Sequence, residues 1–411
     1  MATSHLNLIR NSRVFISTTD NNSDMKAANT FELNVLDGFS FTQTTATAEI
    51  TLNEAGTNPD RGKKSYNTAR NPVDWSFTTY IRPYKREATP SGGSATKYTS
   101  AVEKLMWEAF LGKGRTTGTN TDTKWTPFDN FNEGATTTGM EGDTDDSDVD
   151  VLLPVYIFFE LSDGSNKTYY RINKALVNTA EIDFSIDGIA QIAWGGQGET
   201  LENVESTDMP TSGINKFMPI ANSSAGETLA GTHGVGATGS VQKVFPAEFI
   251  RNKLSTVSLQ DASSSKYYQV VLTGGSISLD NGVTYLTPDE LGVVNTPIGG
   301  FTGTRSISGS MNCYLRSGDT VNTGGSSDPY DSGKLVEDLL AATTQTDNSF
   351  DLTLSMGGAT APKVDFTFAQ AQLEVPSIDV ADVISTTINF VAEGSAITSA
   401  DEMDIKYIAT L

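Results

Sequence analysis

The chain has 411 residues, of which 37% are hydrophobic and 19% charged, so it is long enough for two cores and too apolar for wholesale disorder. Its 28 Lys and Arg residues stand against 50 Asp and Glu residues, a formal net charge of -22, which argues against binding to a phosphate backbone. A single cysteine, Cys313, excludes an intrachain disulfide, so a reducing cytoplasm suits its assembly.

Most of the chain has the alternating pattern of half-buried antiparallel strands. Apolar residues occupy every second position in Phe39-Ser40-Phe41, Ala48 to Leu52, Trp75 to Ile81, and Ile277-Ser278-Leu279. Turn-forming dipeptides accompany the predicted strands at Asp163-Gly164, Asn281-Gly282 and Gly357-Gly358. The sequence therefore predicts a mainly β protein.

One amphipathic helix is predicted in each half of the chain. Between 102 and 110, apolar residues recur at i, i+3, i+4, i+7 and i+8 after the possible cap Ser100. The second helix covers 334–341, after Asp331 and Ser332, and has the same spacing.

The two halves also repeat short segments in the same order. Two of these pairs are Ile9-Arg10-Asn11 with Ile250-Arg251-Asn252, and Tyr80-Ile81-Arg82 with Tyr314-Leu315-Arg316. A third, ungapped alignment sets 170–198 on 366–394 and places Ile192 on Ile388 and Trp194 on Phe390. Ordered anchors of this kind are typical of a duplicated domain.

The offsets between these anchors predict the domain boundaries. We expect one copy at 1–199, a linker rich in Gly, Ser, Ala and Thr at 200–246, and a second copy at 247–411. The first copy carries an insertion at 112–154, whose Gly, Thr, Asn and Asp residues predict an acidic surface loop with no assigned partner.

Catalytic and metal-binding motifs are not found in the sequence. The only histidines, His5 and His233, cannot form a histidine-based triad or metal cluster. The acidic run Asp143 to Asp150 does not match an EF-hand loop, which would need Gly where Asp148 stands. A solvated acidic loop is the simpler interpretation, and an irregular calcium site is the alternative. We expect neither an enzyme nor a protein with a cofactor or metal ion.

A basic segment interrupts this acidic chain between 56 and 72. Its cationic residues are Arg61, Lys63, Lys64 and Arg70. Such a loop could bind an acidic face of a neighbouring copy, because complementary charge steers association. An ordinary solvated hairpin loop is the alternative.

Acidic residues alternate with apolar ones in the last hairpin of the first copy, and further acids lie near the corresponding hairpin of the second. They are Glu181, Asp183 and Asp187 in the first copy and Glu374, Asp379 and Asp382 in the second. If these faces line a shared channel, its negative charge would let DNA pass without adhering. If they do not, they are solvent-facing strand surfaces.

Taken together, these features make the chain resemble a known family, the major tail tube proteins of long-tailed (siphovirus) bacteriophages, in the variant with two fused tube domains. In the first copy the segments that carry the resemblance are Leu8-Ile9-Arg10-Asn11, Asn53-Glu54-Ala55-Gly56 with Arg61-Gly62, and Trp75 to Lys85. In the second copy they are Ile250 to Ser255, Tyr285-Leu286-Thr287-Pro288, and Pro297 to Gly303.

This resemblance implies a fold and an assembly. It implies two tandem β-sandwich or barrel-like tail tube domains, each with one flanking α-helix, whose sheets join those of neighbours in a ring-shaped β-barrel. Rings of six domains in single-domain relatives imply homotrimeric rings here. In the family, an extended loop after the second strand reaches the adjacent ring, which favours the docking interpretation of Arg61, Lys63, Lys64 and Arg70.

The resemblance also implies partners and a location. Stacked rings would surround the tape measure protein, meet the tail terminator and tail tip proteins, and conduct DNA in passive transit into the host. We expect assembly in the host cytoplasm and a final location in the virion tail. The longest apolar run, 151–159, is too short to span a bilayer, so no membrane insertion is expected.

Two other functions stay open on the sequence. A carbohydrate-binding β-sandwich or glycosidase is suggested by the many acids and by aromatic residues such as Trp107 and Trp125. A shell or layer protein is suggested by the acidity and the Thr and Gly content, although no export signal precedes it.

Overall fold

The computed structural model describes the greater part of the chain. The described residues are 6–8, 11–21, 25, 30–36, 38–51, 63–89, 96–111, 152–210, 215–216, 228–230, 241–244, 247–262, 266–287, 297, 299–316, 330–342, 348–379, 383–395 and 402–410.

The first repeat, defined as the residues before 200, forms strands and one helix as the alternation predicts. In chain order they are β1 Arg13–Ser17, β2 Thr30–Leu33, β3 Ser40–Thr51, β4 Lys63–Tyr80, β5 Pro83–Thr89, β6 Thr96–Ala101, α1 Lys104–Leu111, β7 Val155–Ser162, β8 Lys167–Ser185 and β9 Gln191–Gly198. Between the repeats lie β10 Thr200–Asn203, β11 Asn215–Lys216, β12 Thr228–Ala230 and β13 Val241–Val244.

The second repeat, from residue 247 onwards, begins with a short 3-10 helix at Asn252–Leu254. Its other elements are β14 Thr256–Asp261, β15 Tyr267–Gln269, β16 Leu272–Asp280, β17 Thr284–Leu286, β18 Gly299–Phe301, β19 Ser306–Tyr314, β20 Tyr330–Asp331, α2 Ser332–Ala341, β21 Ser349–Met356, β22 Lys363–Leu373, β23 Ser377–Asp379, β24 Ser385–Ala392 and β25 Asp404–Ile408. The prediction of a mainly β fold with one helix in each half is confirmed.

The largest sheet has the same pairing pattern in both repeats. Its antiparallel order runs β3-β4-β9-β8 in the first repeat and continues as β16-β19-β24-β23 in the second. The register repeats as well, because Ser40 lies opposite Ser76 and Ser276 lies opposite Ser310. Each serine pair joins its hydroxyls at 3.0 Å. The duplication visible in sequence is therefore also a duplication of strand order.

A second group of strands in each repeat is reached by a long strand that takes part in two pairings. The first part of β8 pairs with β7 and β10, whereas its last residues pair with β9 and β16. In the second repeat β22 pairs with β21 and β25, and its end pairs with β24. Most buried apolar residues of both groups belong to one hydrophobic cluster that spans both repeats.

The ungapped alignment of the last hairpin is wrong by two residues on its second strand. Asp183 pairs with Gln191 in the first repeat, whereas Asp379 pairs with Ser385 in the second, so the second connection is two residues shorter. Ile192 therefore corresponds to Thr386 rather than to Ile388, and by the same shift Trp194 corresponds to Ile388.

The tight-turn predictions hold for two of the three dipeptides. Gly164 between β7 and β8, and Gly357 between β21 and β22, have φ values of +100° and +99°, which favour glycine. Asn281-Gly282 does not form a tight turn that joins β16 directly to its neighbour β19. The small β17–β18 hairpin lies between these two strands in the chain.

Segments that the sequence predicts to be polar connections also contain structure. Within 200–246, β10 pairs with β8, β11 with β2, and β13 with β5 and β12. Of the predicted loop at 112–154, residues 112–151 lie outside the described residues, and Leu152 is buried against Leu176. The boundaries at 199 and 247 stay a prediction.

Helix α1 is held between the repeats by a buried polar network. The indole nitrogen of Trp107 donates a 2.7 Å hydrogen bond to the hydroxyl of Tyr407, on the last strand of the second repeat. Glu103, which is fully buried beside them, accepts a 3.4 Å hydrogen bond from the backbone N–H of Arg82. Burial raises the pKa of Glu103 to about 7, and the Tyr407 hydroxyl and Arg82 act in the opposite direction.

The raised pKa of Glu103 predicts a stability that falls as the pH rises. Between a pH of about 4.5 and 7 the folded protein keeps a proton that the unfolded chain releases. The free energy of unfolding therefore decreases as the pH rises through this range. Replacing Glu103→Gln should remove this loss, which is on the order of 3 kcal/mol by pH 8. Denaturant unfolding at pH 4.5, 6 and 8 measures it. The control, Glu337→Gln on the exposed side of α2, should show the same pH dependence as the parent protein. If the free energy of unfolding of Glu103→Gln changes with pH as that of the parent does, the assignment is contradicted.

Candidate assembly surfaces

The two repeats meet through one pair of strands, which we call the internal joint. Residues 179–185 of β8 pair antiparallel with residues 274–280 of β16, so that Glu181 lies opposite Ser278 and Asp183 opposite Ser276. Strand pairing of this kind satisfies the backbone groups of two edges at once. It joins the two four-stranded groups into one continuous sheet.

Asn281 fastens the internal joint at the end of β16. Its buried side-chain amide donates hydrogen bonds of 2.9 Å to the carbonyl of Phe110 and 3.3 Å to that of Val177. Its backbone N–H donates a 2.9 Å hydrogen bond to the carbonyl of Asn178. Sequence analysis treated Asn281 only as a turn residue, because nothing in its neighbourhood indicates a partner 171 residues away.

A second contact of the joint involves the repeated Ile-Arg-Asn segment. The backbone N–H of Ala190 donates to the carbonyl of Ile250 at 3.0 Å, and that of Asn252 donates to Gly188 at 3.1 Å. Nearby, the guanidinium of Arg82 lies 4.5 Å from the ring centre of Phe249. The segment that marked the duplication therefore contacts the turn between β8 and β9.

The second repeat exposes the surface that the first repeat buries in the joint. We call β23 together with the outer side of α2 the trailing edge. Ile182 is 0% exposed, whereas its counterpart Ile378 on β23 is 49% exposed. On the helices, Phe110 is 1% exposed and Leu340, at the same place in α2, is 67% exposed. Because these side chains are already partly buried, covering them would contribute about 1–2 kcal/mol each.

Strand β3 forms the opposite, leading edge of the sheet. Among the described strands it pairs with β4 alone, whereas its counterpart β16 has a neighbour on both sides. Phe41 on β3 is half-buried and packs against Phe159, with ring centres 4.4 Å apart. Among the described residues, the sheet therefore ends at β3 and at β23 in strands that are paired on one side only.

One face of this sheet is polar across both repeats. Glu181 and Asp183 point to it from β8, and Asp379 on β23 and Glu374, which follows β22, lie on it too. Asp187 lies in the turn after β8, and Asp382 is outside the described residues. The structure therefore places four of the six predicted acids on one face.

The polar face contains further residues that sequence analysis did not single out. Asp74 on β4 accepts a 2.9 Å hydrogen bond from the amide of Gln197, and Asp280 ends β16. The alternation Val73-Asp74-Trp75 could have identified the first of them. Serine and threonine fill most other outward positions of the sheet. Among the described strands from β3 across to β24, these positions include no Lys or Arg.

Strands β3 and β4 continue past the sheet as a two-stranded arm. It pairs 45–51 with 63–70, and both faces are largely exposed, including Ile50 and Tyr66. Lys63 makes a 2.8 Å ion pair with Glu49.

The predicted basic residues belong to this arm. Lys63, Lys64 and Arg70 are exposed on it, and Arg61 lies outside the described residues. Any effect of these charges is therefore exerted away from the sheet.

Three further observations bear on function. In the part of the chain that the structure describes, no three His, Cys, Asp or Glu side chains are grouped so as to hold a metal ion. No helix among those residues is long and apolar enough to cross a bilayer. Trp107, which suggested a carbohydrate site, is completely buried, so it cannot stack on a sugar in this structure.

In the described part of this mainly β chain, the two end strands of the sheet expose backbone groups that a further strand could pair with. No family model matches the sequence. Over 407 residues the chain is 29% identical to the tail tube protein pb6 of Escherichia phage T5, covering 97% of this chain and 75% of that protein. This similarity confirms the resemblance to the major tail tube proteins of long-tailed phages, and with it the expected location in the virion tail.

Proposed function

We propose that this protein is a structural subunit that assembles into stacked rings and so forms the wall of a phage tail tube. Each ring would contain three chains, and each chain two tandem tube domains at 1–199 and 247–411. The observation that carries the proposal is the internal joint, together with an uncovered copy of each of its two sides at the ends of the sheet.

The open edges favour a head-to-tail contact between chains. At the trailing edge, β23 occupies the position that β8 has in the first repeat. At the leading edge, β3 occupies the position that β16 has in the second repeat, so β23 of one chain could pair with β3 of the next as β8 pairs with β16. A heterologous contact of this type forms a closed ring when its rotation closes, and closure leaves no free edge. Eight strands per chain would give a barrel of about 24 strands, wider than the barrels of 16 to 18 strands that already enclose an aqueous channel.

The polar face supplies the lining of the proposed channel. The opposite face of the sheet packs on the common hydrophobic cluster, which leaves the polar face free to point inward. Glu181, Asp183, Glu374 and Asp379, together with the predicted Asp187 and Asp382, would make the lumen negative. A phosphate backbone is repelled by such a surface and finds no cation to hold it, so DNA would pass without binding.

The proposed role is structural rather than catalytic and needs no cofactor. The partners implied by the resemblance are the tape measure protein inside the tube and the tail terminator and tail tip proteins at its ends. The arm would contact the next ring, with Arg61, Lys63, Lys64 and Arg70 facing acidic groups there, since complementary charges fix register.

The assembly itself is the first test. Purified protein is concentrated, and its particles are examined by negative-stain microscopy and native mass spectrometry. We expect hollow tubes in the micrographs. Single rings should have a mass three times that of the 43.9 kDa chain. Flat sheets would indicate a layer protein, and a protein that stays monomeric at every concentration tested would contradict the proposal.

Charge reversal in the arm tests the contact between rings. Lys63→Glu with Lys64→Glu should shorten tubes at least tenfold, because the arm would then repel an acidic neighbour, while rings still form. A matched control reverses two lysines outside the arm, Lys253→Glu with Lys406→Glu. Tube length is measured by microscopy and folding by circular dichroism. Tubes of unchanged length and yield in the arm variant would reject this role.

A further inference from the structure

We infer that the trailing edge binds the leading strand of a second copy of this chain in one register, with Ser377 opposite Thr42 and Asp379 opposite Ser40. The inference rests on the proposed function, which requires chains to join but does not fix how their strands align. The register follows from the correspondence of each edge with one side of the internal joint.

The correspondence of β3 with β16 is set by their partners on the inner side. Ser40 lies opposite Ser76 of β4, and Ser276 lies opposite Ser310 of β19, with the same hydroxyl contact of 3.0 Å. Counting outward from these pairs, Phe41 corresponds to Ile277 and Thr42 to Ser278.

The correspondence of β8 with β23 is set in the same way. Ile182 lies opposite Ile192 of β9, and Ile378 lies opposite Thr386 of β24. These two partners occupy equivalent places, because Ile192 faces Thr79 and Thr386 faces Cys313, three residues along from Ser76 and Ser310.

Transferring the pairs of the internal joint to the open edges gives the contacts between chains. Glu181 opposite Ser278 becomes Ser377 opposite Thr42, and both new residues lie on the polar face. Ile182 opposite Ile277 becomes Ile378 opposite Phe41, which would remove the exposed Ile378 side chain from water.

Alternation limits the other registers. A shift by one residue would set Phe41 opposite Ser377 or Asp379, so that the core face of one chain would continue as the polar face of the next, and odd shifts are therefore unfavourable. A shift by two residues keeps the faces and has to be distinguished by experiment.

Disulfide trapping makes this distinction. Opposite residues of an antiparallel pair have Cα atoms about 4.5–5.5 Å apart, within reach of a disulfide, whereas diagonal neighbours are about 7–8 Å apart. Tubes are assembled from Thr42→Cys with Ser377→Cys and oxidised mildly. We expect covalent dimers and trimers on denaturing, non-reducing gels, at least tenfold more than from the diagonal pair Ser40→Cys with Ser377→Cys.

The internal joint calibrates the chemistry. Glu181→Cys with Ser278→Cys joins the corresponding pair within one chain, so both introduced thiols should be lost without formation of covalent dimers. Tubes that form normally but give more crosslink with the diagonal pair, or none with the predicted pair, would overturn the register and leave the proposed function standing. Occupation of the trailing edge by a different protein would likewise leave the pair unlinked. The failure of the unmodified chain to assemble would instead refute the proposed function.

A second variant tests the same contact without cysteine. Ile378→Asp should lower the assembled fraction at least tenfold, because its side chain would face Phe41 of the neighbour. The matched control is Val391→Asp, an equally exposed apolar residue that lies on the polar face of β24. Equal assembly of the two variants would contradict the predicted contact.

Discussion

The pairing of β8 with β16 is the constraint from which the rest of the structure follows. It fuses two four-stranded groups of the same order into a single sheet and places their polar residues on a common face. It also determines what is left over. A repeat that uses its trailing side to bind the next repeat leaves a second trailing side unused at the other end, and that side is apolar where Ile378 and Leu340 lie. An unpaired edge with exposed apolar residues is a liability for a protein that works alone and an advantage for one that assembles.

The distribution of charge supports the same division of labour within the chain. The negative charge is carried in part by the polar face, where small hydroxyl residues alternate with carboxylates, and the exposed cations Lys63, Lys64 and Arg70 are held away from it on the arm. Buried polar groups serve a different purpose. Glu103, Trp107 and Tyr407 bind helix α1 of the first repeat to the last strand of the second. The two repeats share a topology but differ at the surfaces through which each is covered.

Alternation and turn chemistry in the sequence predicted the fold class, both helices and turns such as Gly164 and Gly357, because these depend on residues close in the chain. The acids of the polar face were predicted for the same reason, since strand parity places Glu181 and Asp183 on one side. Contacts between distant segments could not be predicted. Neither the role of Asn281, which binds Phe110, nor the burial of Glu103 has a local signal. The alignment error at Ile192 arose because a connection shortened by two residues preserves the strand pattern while moving its register.

The central claim is that the contact between chains repeats the contact between the two halves of one chain. A reconstruction of assembled tubes by electron cryo-microscopy, at a resolution that separates strands, tests it most directly. The account predicts a ring with six similar joints, three of them β8 with β16 and three of them residues 377–379 with β3 of the neighbouring chain. A wall in which β3 or residues 377–379 face solvent, or in which chains touch through other strands, would contradict it.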